Sequence, residues 1–89
     1  MYINNVPVQM FSVISTTGDM IPLRFRFEAE DHTIQTIVIA ETLAKQECNY
    51  VGQQCIKYTC KSVAEEREIL FEMKYLVGSH KWVLSKVLN

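Results

Sequence analysis

Alternation with a period of two runs through most of this chain and limits what it can fold into. In "PLRFRFEAED" (22–31), Leu23, Phe25 and Phe27 alternate strictly with Arg24, Arg26 and Glu28. Successive side chains of a strand point to opposite faces, so such a stretch reads as a half-buried β-strand and not as a helix. The same period recurs in "VQMFSVIS" (8–15), "TIQTIVIAE" (33–41), "QCIKYTCKS" (54–62), "REILFEMKY" (67–75) and "KWVLSKVL" (81–88). In 54–62, Ile56, Tyr58 and Cys60 share one face and Lys57, Thr59 and Lys61 the other. In 67–75, Ile69, Phe71, Met73 and Tyr75 point inward, with Glu68, Glu72 and Lys74 outward. A rival helix over 63–75 has good formers in "VAEEREILFEMKYL" but a less regular apolar face.

Turn residues separate these segments. "TTGD" (16–19) offers Gly18 for a positive φ, and "AEDH" (29–32), "VAEE" (63–66) and "VGSH" (77–80) close further hairpins. Pro22 lacks a donor and belongs at a strand start or an edge. The alternation in 33–41 blurs after Thr36, as in a strand buried on both faces or carrying a bulge. Residues 42–53, "TLAKQECNYVGQ", hold helix formers followed by Gly52, and read as a helical turn or an ordered loop that makes the one non-hairpin crossing. Six strands joined mostly by hairpins predict an all-β fold: a small antiparallel barrel, SH3-like, with an OB-like barrel or an open antiparallel sheet as alternatives.

The 89 residues make one domain, 1–89. Area scaling gives about 5,400 Å² folded against about 15,000 Å² unfolded, so roughly two-thirds of the surface is buried without metal or disulfide. Apolar residues at 48% and charged residues at 21% exclude a disordered chain. A formal charge of −1 gives no general pull toward nucleic acid or anionic membrane. The longest apolar run, "TIVIA", is too short to cross a bilayer. "MYINNVPVQ" has neither a basic nor an apolar leader region, so no signal peptide is expected.

Cys48, Cys55 and Cys60 are an odd set without a C-x-x-C pair. They predict free thiols, a reducing cytoplasmic location and no zinc site. No cofactor or metal is expected. His32 and His80 fall in turns, and no nucleotide-loop or zinc-hydrolase motif occurs. Glu47 beside Cys48 would raise its pKa, so no reactive thiol is expected. These readings point away from an enzyme.

The candidate binding surface is Arg24, Arg26, Lys81 and Trp82. Arg24 and Arg26 share a face about 6.5–7 Å apart, a spacing that could grip two anionic groups. The plainer reading is a solvated face, with both arginines offset by Glu28, Glu30 and Asp31. Lys57 and Lys61 are expected to pair with Glu68 and Glu72 across a hairpin, leaving no basic stripe. Phe25, Phe27, Tyr58 and Phe71 belong to the core, together with Ile69. Tyr50 in its loop and Trp82 after its turn are the aromatics placed for exposure. Of the rest, Tyr2 and Phe11 carry no assignment.

From "PLRFRFEAED…TIVI" through "YVGQQCIKYTCKSV…REILFEMKYLVGSHKWVL", the chain resembles a group of small bacterial proteins. They share an R-F-R-F-E segment, a Cys-bearing strand, F-E-x-K-Y and a final K-W strand. The resemblance covers residues 22–85. It implies a small all-β, SH3-like fold and transfers no activity and no site residues. The expected function is a non-enzymatic protein-interaction module, binding itself or another protein, with a single-stranded nucleic-acid-binding barrel as the alternative.

Overall fold

The computed structural model describes residues 4–89, so Tyr2 lies outside the described residues. Seven strands form: β1 (Val6–Ile14), β2 (Met20–Glu28), β3 (Ile34–Val38), β4 (Glu41–Tyr50), β5 (Gln53–Ala64), β6 (Arg67–Leu76) and β7 (Lys81–Val87). Every pairing is antiparallel, and the order across the sheet is β3-β2-β1-β7-β6-β5-β4. The fold is all-β as expected. It is not a six-stranded barrel: there are seven strands, and the two edge strands, β3 and β4, do not pair with each other.

The extra strand is β4, where the sequence suggests a helical turn or loop. Eight of its ten residues, Glu41 to Glu47 and Asn49, are exposed whatever face they occupy. A strand exposed on both faces has no apolar period to read. Pairing with β5 from Glu41–Lys61 to Tyr50–Gln53 overrides the local helix propensity. Val51 and Gly52, at φ 49° and 77°, make the two-residue turn that joins β4 to β5. Gly52 therefore serves a hairpin and does not stop a helix. Residues 63–75 are strand on both sides of a second such turn, at Glu65 and Glu66.

β1 belongs to two layers. Its first half, Val6–Val8, pairs with β7, and Gln9–Ile14 pairs with β2 alone. The β1–β2–β3 wing then lies across the sheet of β4–β7. The Tyr58 hydroxyl donates to the Met20 carbonyl at 3.3 Å, and Lys45 meets Asp19 at 3.9 Å. The edges meet at a corner, where the Ile39 amide donates to Leu23 and the Ala40 amide to Lys61. Ile39 is buried there, so the blurred alternation after Thr36 marks a corner and not a strand buried on both faces.

The core lies between the layers: Phe25, Phe27, Ile39, Tyr58, Cys60, Phe71, Met73, Trp82 and Leu84. Phe25 stands 5.6 Å edge-on to Phe71. One expected core residue, Ile69, is absent from it, and Leu23 leaves the apolar face that its alternation with Phe25 implies. Ile69 is 38% exposed at the open end of β6. Leu23 is 43% exposed, because β1 pairs Phe11 with Arg24 but Ser12 with Pro22. Leu23 is thus the extra residue of a bulge, which turns Pro22 inward and Leu23 outward. Pro22 sits at that bulge, where its missing donor costs no ladder bond.

Cys48 and Cys55 are directly opposed on β4 and β5, with Cα atoms 5.0 Å apart, and are joined by a disulfide. This corrects the expectation of three free thiols. The odd count resolves into one bridge and one buried thiol, Cys60, and no longer argues for a reducing compartment. No helix among the described residues is long and apolar enough to cross a membrane.

Candidate functional site on the outer face of the β1–β2–β3 wing

The candidate surface divides in two. Arg24 and Arg26 point outward from β2, as their alternation with Phe25 requires. Lys81 opens β7 and is exposed. Trp82 is not available: it is only 7% exposed and packs 5.2 Å from Tyr58 and 5.1 Å from Tyr75, ring to ring. The turn at 77–80 expected to expose it instead delivers β7 onto the core, with Trp82 opposite Val8. Tyr50 is half-buried, with the Lys74 ammonium 4.7 Å above its ring.

The arginines have no acidic partners among the described residues. Glu28 instead binds His32, its carboxylate 2.7 Å from Nδ1. Asp31 accepts bonds from the Thr33 hydroxyl and amide, which hold its pKa below the ordinary value. The Arg26 Nε donates to the Gln9 side-chain carbonyl, and the Arg24 guanidinium lies 4.6 Å over the Phe11 ring. Both partners are neutral, so both charges stay uncompensated. Lys81 likewise has no ion pair among the described residues.

The opposite outer face, on β4–β6, behaves as the sequence predicts. Lys57 lies 3.9 Å from Glu72, and Lys61 lies 3.7 Å from Glu68 and 3.2 Å from Glu41. Hydrogen bonding to Glu41 raises the Lys61 pKa. Glu72 is more buried than its alternation suggests and lies beside a bulge of β7, whose Ser85 is passed over between the Glu72–Lys86 and Met73–Leu84 pairs. Lys57 and Lys61 are neutralised on this side, where Lys74 has only the Tyr50 ring, and both arginines are free on the wing.

Apolar side chains surround the arginines. Phe11 is paired with Arg24, Arg24 with Val38, and Val13 with Ile21; the bulge adds Leu23. All five apolar residues are more than 40% exposed. The sequence marks Arg24 and Arg26 as sharing a face but gives no sign of their apolar surroundings, because Leu23 joins them only through the bulge. Phe11 and Val13 are legible as the face of β1 opposite Met10, but which face is buried is not.

Chemically reactive groups are sparse. The Tyr75 hydroxyl and His80 Nδ1 are 2.8 Å apart at the rim of the β6–β7 turn. Burial pushes the Cys60 thiol up to about 11, so it is protonated at neutral pH. Among the described residues no three His, Cys, Asp or Glu side chains are placed to hold a metal ion. No family model, curated protein or solved structure matches the chain.

Proposed function

We propose that this protein is a non-enzymatic interaction module that docks a partner protein on the outer face of the β1–β2–β3 wing. The observation that supports the reading is the composition of that face: five exposed apolar side chains around two arginines without carboxylate partners. Aromatic and arginine side chains are enriched in protein interfaces, where a desolvated guanidinium needs an acidic or carbonyl partner. The partner is therefore a protein surface that is apolar at its centre and carries carboxylates opposite Arg24 and Arg26. The experiment is capture with the immobilised chain, followed by titration of the purified captured protein against wild type, Leu23→Asp and Glu47→Lys. Weakened binding by Leu23→Asp alone is expected. Equal binding by all three contradicts the reading.

One observation favours a second reading, single-stranded nucleic acid. Glu28 and Asp31, two of the acids expected to offset the arginines, are engaged elsewhere, and Phe11 is an exposed ring beside the Arg24 guanidinium, as stacking platforms require. Oligonucleotide titration at two salt concentrations separates the readings, because phosphate-driven binding falls steeply with salt.

A further inference from the structure

β1 has a second open feature, independent of its outer face. Gln9–Ile14 pairs with β2 on one side and, among the described residues, with nothing on the other. Alternate residues along this stretch direct N–H and C=O groups away from β2. β7 begins at Lys81 and leaves a cleft of about 510 Å³ beside the strand, with Gln9 and Met10 on one wall and Leu76, His80 and Lys81 on the other.

The sheet's other open edges carry protection that β1 lacks. β4 bears Glu41, Lys45 and Glu47 and a bulge at Leu43. β3 is five residues long and ends at the corner. Charges, bulges and shortness all discourage edge-to-edge pairing. The open stretch of β1, "QMFSVI", has no charge, no proline and no glycine, and consists largely of apolar side chains.

We infer that the free edge of β1 pairs antiparallel with β1 of a second copy of this chain. An uncharged strand meets its own copy without repulsion, and a two-fold axis closes the assembly at two chains. With the axis at Ser12, Phe11 lies opposite Val13 of the second copy and Met10 opposite Ile14. Both are favourable cross-strand pairs, and Phe11 with Val13 extends the apolar wing face. The product is a continuous sheet in the order β3-β2-β1-β1-β2-β3, presenting two copies of the Arg24–Arg26 face side by side. The inference deepens the docking reading by making the face bivalent, yet it rests on the edge and not on the arginines.

The test is sedimentation of the full chain from low micromolar to several hundred micromolar, with amide hydrogen exchange measured over the same range. A dimer is expected, with concentration-dependent protection of amides in Met10–Ile14. Val13→Lys changes an exposed side chain, so the fold survives; it should weaken the dimer by at least about tenfold, and Leu43→Lys on the β4 edge should leave it unchanged. A monomer throughout overturns the inference, as does a dimer that Leu43→Lys breaks and Val13→Lys does not. A monomer whose Met10–Ile14 amides become protected only on adding a captured partner assigns the edge to that partner instead. Each of these results leaves the docking face to be judged separately, through Leu23→Asp.

Discussion

Arg24 and Phe25 are chain neighbours with opposite surroundings, and substitutions at each should show it. Phe25 is fully buried against Phe27 and Phe71. Phe25→Ala or Phe71→Ala should cost about 3–5 kcal/mol, a large share of the stability of a domain this size. Ile69→Ala should cost clearly less, because Ile69 is already part exposed. Arg24→Ala should cost under about 1 kcal/mol, losing only an exposed cation–π contact. Denaturant unfolding of the four variants checks the ranking. Cys60 gives a residue-scale pH dependence. Burial raises its thiol to about 11 from an ordinary value of 9.0. Above pH 9 the unfolded chain ionises this thiol while the folded chain keeps its proton, so stability should fall as pH rises from about 9 to 11. Burial raises the Tyr58 hydroxyl in the same direction, so Cys60→Ala should flatten the fall without abolishing it. A stability constant over that range in the wild type contradicts the assignment.

At the scale of elements, the hairpins carry most of the fold, and two of their turns rest on unusual residues. Glu65 and Glu66 hold φ at 52° and 63°, the left-handed geometry of a two-residue turn that asparagine and glycine satisfy at lower cost. Glu65→Asn with Glu66→Gly should stabilise the protein by about 1 kcal/mol, or roughly 4–8 °C in Tm, measured by thermal unfolding. The β4–β5 hairpin gives a covalent prediction. Protein isolated without reductant and then denatured should titrate one thiol per chain, from Cys60, and three after reduction. Six of these strands are legible in the sequence, most of them because one face is wet and the other dry for much of the length. Residues 67–75, within β6, are legible as a strand even against good helix formers, since Phe71 and Met73 keep the period. β4 was hidden because neither of its faces is dry. The disulfide was hidden with it, since Cys48 and Cys55 oppose each other only once β4 is a strand. Leu23 departs from the simple alternation, and Trp82 from its expected exposure, for related reasons: a bulge shifts the phase in one, and a turn directs the next strand inward in the other. Both depend on pairing between distant segments, which local alternation does not encode.

For the whole molecule, a formal charge of −1 conceals an uneven distribution. The outer face of β4–β6 joins Lys57 and Lys61 to Glu72, Glu68 and Glu41. The outer face of the wing holds Arg24 and Arg26 among apolar side chains, and the one carboxylate on that face of β2, Glu28, is paired with His32. The arginine pair was legible in sequence as sharing a face. Its lack of acidic partners was not, because the Glu28–His32 and Asp31–Thr33 contacts form within the β2–β3 hairpin itself. We propose that this face binds a partner and adds little to stability. The most direct measurement is calorimetric titration of the purified captured partner with Arg24→Glu/Arg26→Glu, alongside thermal unfolding of the same double variant. A Tm within a few degrees of wild type and an affinity reduced by at least about tenfold are expected, because each carboxylate opposite an arginine then meets a like charge. Unchanged affinity in the folded variant would contradict it, and so would a loss of stability as large as that of Phe71→Ala.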